Sequence, residues 1–100
     1  MLIGTTPTHT FDLPFKTDVI SKIKVTYAQN GRVILEKRNE ECAFNENTVA
    51  LKLTQEDTFL FDYNKNVEIQ ARILTVGGDA IASKIRTISA NKCLDSEVLV

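Results

Sequence analysis

A chain of 100 residues is the size of one domain and supports one compact core, since two independent cores would leave each half marginal. Twelve basic residues nearly cancel thirteen acidic ones and tryptophan is absent, so neither a nucleic acid nor a membrane is an expected partner. Met1-Leu2-Ile3-Gly4 lacks the basic start and apolar run of a secretory signal, and no later stretch reaches membrane-spanning length. The expectation is a chain made in the cytoplasm.

The first strand is predicted at residues 8–13, between Pro7 and Pro14, and proline at both limits suits an edge strand. His9, Phe11 and Leu13 share its apolar face, which makes His9 a rim or core neighbour of the sheet rather than a catalytic base. In residues 21–28, Ile23, Val25 and Tyr27 alternate with Lys22, Lys24 and Thr26, the period of a strand with one wet face. A partner strand follows at residues 32–38.

Asn30-Gly31 suggests a two-residue hairpin, but that register sets Tyr27 against Ile34 and Val25 against Glu36. A three-residue loop, Gln29-Asn30-Gly31 with Gly31 in the left-handed conformation, instead sets Tyr27 against Val33, Val25 against Leu35 and Lys24 against Glu36. The apolar match favours the three-residue loop, because a one-residue slip turns every side chain to the wrong face.

Residues 40–44 form a short fourth strand before the turn Asn45-Glu46-Asn47. Residues 48–53 form a fifth, with Val49, Leu51 and Leu53 inward. Thr54 caps a helix of one or two turns with Asp57 three positions on, and Phe59, Leu60 and Phe61 close the core. The last pair occupies residues 67–75 and 80–90. Val67, Ile69, Ala71 and Ile73 alternate with polar residues, Gly77-Gly78 makes the reversal, and Ile88 changes parity through a bulge or burial on both faces. Gly31, Gly77 and Gly78 are the structural turn residues.

About seven strands and one short helical turn define an all-β fold, a two-sheet antiparallel sandwich of immunoglobulin-like type without that type's signature cysteines and tryptophan. A partly open barrel is the alternative. Residues 1–100 form the single domain, with 94–100 as a C-terminal arm that either docks on its own domain or pairs with another subunit. Val98, Leu99 and Val100 are its candidate interaction residues.

The inventory for chemistry is thin. Cys42 and Cys93 are far apart and read as free thiols, with a disulfide as the minor alternative. A zinc site needs four spaced ligands and His9 is the sole histidine. Gly77-Gly78 lacks the following helix and lysine of a phosphate loop. Glu40, Glu41, Glu56 and Asp57 permit a carboxylate-dependent hydrolase without diagnostic spacing. No catalytic, metal or cofactor-binding residue is nominated, and no enzyme is expected. Lys22, Lys24, Lys37 and Arg38 on one hairpin and Arg72, Lys84 and Arg86 on the other are interrupted by Glu36, Glu68 and Asp79, which reads as mixed-charge solvated faces.

Thr5-Thr6-Pro7-Thr8-His9-Thr10-Phe11, Val25-Thr26-Tyr27-Ala28-Gln29-Asn30-Gly31, Leu53-Thr54-Gln55-Glu56-Asp57-Thr58, Val67-Glu68-Ile69-Gln70-Ala71-Arg72 and Gly78-Asp79-Ala80-Ile81-Ala82-Ser83 resemble small proteins encoded in prophage-like regions of Gram-positive gut bacteria. That resemblance covers most of the chain and implies a virion structural or tail-associated role, with incorporation into a phage particle. The leading expectation is therefore a noncatalytic structural or protein-interaction module whose partners are itself or other virion components. A module binding cell-surface glycans through Tyr27 and Tyr63 is the alternative.

Overall fold

In a computed structural model describing residues 1–100, the alternating segments become eight strands. They are β1 (Thr8–Asp12), β2 (Ile20–Gln29), β3 (Arg32–Arg38), β4 (Cys42–Asn45), β5 (Thr48–Lys52), β6 (Asn66–Thr75), β7 (Ala80–Ala82) and β8 (Arg86–Ser89), with one helix, α1 (Gln55–Thr58). The smaller sheet has the order β1-β5-β4. The larger runs β3-β2-β6, and both β7 and β8 pair with the far side of β6. Every pairing between these strands is antiparallel, and β1 lies at an edge as its flanking prolines require.

The inner faces follow the sequence period. Phe11 of β1, Val49 and Leu51 of β5, and Leu53 just beyond it meet Ile23, Val25 and Tyr27 of β2 and Val67, Ile69, Ala71 and Ile73 of β6 in one buried cluster. Burial of each such side chain stabilises the fold by about 1.5–3 kcal/mol against chain entropy. Phe61 closes one end of this core, as its position after α1 predicts.

The hairpin between β2 and β3 corrects the three-residue loop. Gln29 pairs with Arg32, so the loop is the two residues Asn30 and Gly31, with φ of 52° and 76°. An Asn-Gly pair accepts positive φ at both positions, and that local preference sets the turn. The face mismatch is resolved inside the strand instead. Tyr27 pairs with Leu35 while Ala28 pairs with Val33, leaving Ile34 as the extra residue of a bulge. Tyr27 therefore faces Leu35 and not Val33, and Val25 faces Lys37. A Cβ on Gly31 would meet no atom within 4 Å, so Gly31→Ala isolates the backbone term. It is expected to destabilise by about 1 kcal/mol, lowering the thermal midpoint by roughly 4–8 °C. An unchanged melting curve would count against the left-handed turn.

The predicted strand at 80–90 is broken. Ile73 pairs with Ile81 through β7, and Val67 pairs with Ile88 through β8. The register slips by one residue across residues 83–85, which accounts for the parity change at Ile88. The Ser83 hydroxyl accepts the Ala71 amide at 3.0 Å and the Gln70 side chain donates to the Ser83 carbonyl at 2.9 Å, so the break is pinned to β6. Such interruptions protect an exposed edge from pairing with other chains. Of the glycine pair in the β6–β7 turn only Gly78 takes a positive φ, 90°. Residues 39–41 form a 3-10 turn, so β4 starts at Cys42 rather than at residue 40.

Around α1 the polar groups are satisfied locally. Thr54 and Asp57 form the reciprocal cap that their spacing predicts, at 2.9 and 3.1 Å. Asp57 also meets Lys37 at 3.0 Å, which gives the inward lysine of edge strand β3 a partner. Burial alone raises the Asp57 carboxyl, but the Thr54 amide and Lys37 ammonium outweigh it and hold the group below its ordinary range. The buried Gln29 amide pairs with the Asp62 backbone at 2.8 and 2.9 Å, tying the end of β2 to the loop before β6.

Sheets of order β1-β5-β4 and β3-β2-β6-β7/β8 reproduce the B-E-D and C′-C-F-G arrangement, with a divided last strand. The fold is an immunoglobulin-like sandwich. Neither cysteine occupies the strands that carry that fold's bridge: Cys42 is half-buried on β4, Cys93 is exposed beyond β8, and both are free. The two sheets are instead pinned by a hydrogen bond of 2.7 Å between His9 Nδ1 on β1 and the Tyr27 hydroxyl on β2.

Candidate functional site

On the outer face of the larger sheet, the register sets three cations side by side. Lys24 of β2 lies directly opposite Arg38 of β3 on one side and Arg72 of β6 on the other. Lys22 lies opposite Leu74, the next outward pair. Like charges directly opposite each other destabilise a sheet. One carboxylate relieves them: Glu36 sits 2.7 Å from Lys24 and 3.9 Å from Arg38. The hydrogen bond from Lys24 holds the Glu36 carboxyl below its usual range. Lys22 and Arg72 make no ion pair.

Beside this row is an open depression of about 300 Å³, lined by Lys22, Lys24 and Arg72 together with Ile73, Leu74 and Ala80. Its rim is cationic and its floor apolar. Leu74 is 38% exposed there. A partner with carboxylates and a short apolar segment would neutralise the first and cover the second.

Two sequence groups of basic residues are thus sorted anew. Lys22, Lys24, Arg38 and Arg72 come together, whereas Lys37 turns inward to Asp57. Arg86 leaves the face as well: its guanidinium lies 5.0 Å from the Phe11 ring centre and donates to the Thr10 carbonyl at 3.0 Å, joining the two sheets at their edge. Sequence reasoning missed the row because β2 and β6, which carry Lys24 and Arg72, are far apart in the chain.

The remaining candidates disperse. Tyr27 is fully buried, so it cannot contact a glycan, while Tyr63 is exposed and lies under the Lys92 ammonium. Glu41 accepts the Arg38 amide and Asp57 caps α1. None of the five main surface depressions is lined by Glu40, Glu41, Glu56 or Asp57. The arm at 94–100 adds no strand to its own sheets. Its bonds to the domain are two at the Gln55 side chain, which accepts the Leu99 amide at 2.8 Å and donates to the Leu99 carbonyl at 2.9 Å, and Leu94, Leu99 and Val100 are exposed while Val98 is half-buried.

No protein-family model matches the chain, and no curated protein matches it. Among solved structures, the V domain of amphioxus IgVJ-C2 is similar at a TM-score of 0.35 and 9% identity, over 90% of this chain and 96% of that one. The strand order described above carries the fold assignment by itself. No helix is long and apolar enough to cross a membrane.

Proposed function

We propose that this chain is a noncatalytic protein-interaction module that binds through the outer face of its larger sheet. The carrying observation is the alignment of Arg38, Lys24 and Arg72 on adjacent strands beside an apolar depression. Glu36 meets Lys24 and Arg38 but leaves Arg72 without a counter-ion, which an acidic partner would supply. A nucleic-acid platform is less well supported, because no exposed aromatic stands among the residues lining the depression. The resemblance to prophage-encoded proteins supports a virion or tail as the setting.

Co-expression with the products of adjacent genes tests the reading. A complex is expected that survives Lys52→Glu on the smaller sheet and is lost in the double variant K24E/R72E. If the chain binds neither itself nor any neighbouring product, the interaction reading falls. A locus without capsid, portal or tail genes removes only the virion setting.

A further inference from the structure

We infer that the acidic C-terminal arm of one copy docks in the Lys22, Lys24 and Arg72 depression of a second copy. This rests on the interaction reading above and names its partner. The arm carries Asp95 and Glu97, neither of which forms an ion pair, ahead of Val98, Leu99 and Val100. The depression offers the complement in both respects: two unpaired cations, Lys22 and Arg72, around the apolar Leu74 and Ala80.

The arm is also presented for release. Leu94 is 98% exposed, and among hydrogen bonds from residues 94–100 to the domain there are only the two at Gln55. Both are exposed, so water replaces them at little cost. Gln55 belongs to α1, whose Asp57 meets Lys37 on the inner face of β3, whereas the depression opens on the outer face of the same sheet. The sheet stands between an arm and its own depression. Docking is accordingly intermolecular and uses different surfaces on the two copies, a heterologous contact that builds open chains unless a ring closes.

Sedimentation of the full chain over micromolar to millimolar concentration tests this, with circular dichroism verifying each fold. The wild type is expected to gain average mass without stopping at a dimer, and added salt should weaken the gain. The variants K24E/R72E and D95K/E97K should each associate about tenfold or more weakly. Mixed together, they should co-assemble in equal proportion into alternating chains, because the acidic arm of the first matches the basic face of the second and the basic arm of the second matches the acidic face of the first. A monomeric wild type overturns the inference, as does association indifferent to D95K/E97K or a folded pair that fails to combine. If K24E/R72E does not fold, D95K/E97K alone decides by the same criterion. Loss of self-association with a retained neighbour complex sensitive to K24E/R72E would leave the interaction module standing and remove only the arm.

Discussion

Replacing Tyr27 by alanine is expected to lower stability by about 4 kcal/mol, a large part of what a domain of this size has. Tyr27 is fully buried, and its ring centre lies 5.5 Å from that of His9 and 5.8 Å from that of Phe61. Removing the ring opens a cavity where the two sheets and the plug after α1 meet. Tyr27→Phe keeps the ring and removes only the hydroxyl that meets His9 Nδ1, so its cost should be about 1 kcal/mol. Equal losses in urea denaturation of the two variants would sink the cavity explanation.

The burial of His9 gives stability a pH dependence. Burial, then the nearby Arg86 guanidinium and the N-terminal ammonium, lower the His9 pKa below its ordinary 6.5. The unfolded chain therefore takes up the proton first as pH falls. The contribution of neutral His9 is complete above about 6.5 and is lost as pH drops from there to the folded value. Because His9 is the sole histidine, a denaturation midpoint that falls between pH 7.5 and 5.5 should flatten in His9→Gln. Burial raises the Tyr27 hydroxyl well above its ordinary range, so the partner stays neutral throughout that interval.

Much of the fold was legible because period two is a local signal. Ile23, Val25 and Tyr27, and Val67, Ile69, Ala71 and Ile73, are buried on the faces that alternation assigns. The cap at Thr54 and Asp57 was legible for the same reason, since its partners are three residues apart. Registers were harder. At Asn30-Gly31 the sequence poses a conflict between the turn and the face match, and both are satisfied by a bulge at Ile34 that leaves no compositional mark. The break at residues 83–85 depends on Ser83 and Gln70 bonding across to each other's strands, which no window along the chain can reveal.

The candidate surface was legible only in fragments. Alternation places Lys22, Lys24 and Arg72 on wet faces, but it does not say which wet residues become neighbours. That follows from β6 lying beside β2, although β3, β4, β5 and α1 intervene in the chain. The same pairing shows why composition misled. Arg86 and Lys37 count as surface cations in the sequence, yet one is spent on Phe11 and Thr10 and the other on Asp57. What remains is a smaller and more concentrated set of charges.

Leu51→Ala is expected to cost about 3 kcal/mol and to act first on the smaller sheet. Leu51 lies on β5, the centre of only three strands, between His9 of β1 and Cys42 of β4. It is fully buried, whereas both edge neighbours are half-buried. The hole left by the deleted methyl groups has few ways to collapse there, because β4 has four residues, three of them exposed, and β1 is stiffened by prolines on either side. The larger sheet is differently supported, since β2 and β6 are ten residues each and pair along most of their length. Hydrogen exchange of the variant should therefore speed up more at β1, β4 and β5 amides than at those of β2 and β6, as local opening of the weaker unit precedes global unfolding. Leu74→Ala, on the exposed face, should change stability by less than about 1 kcal/mol. If the two variants lose similar amounts in denaturant, the distinction between a packed inner face and an open outer one fails. If exchange accelerates equally in all strands, the sandwich opens as one unit and the smaller sheet has no independent weakness.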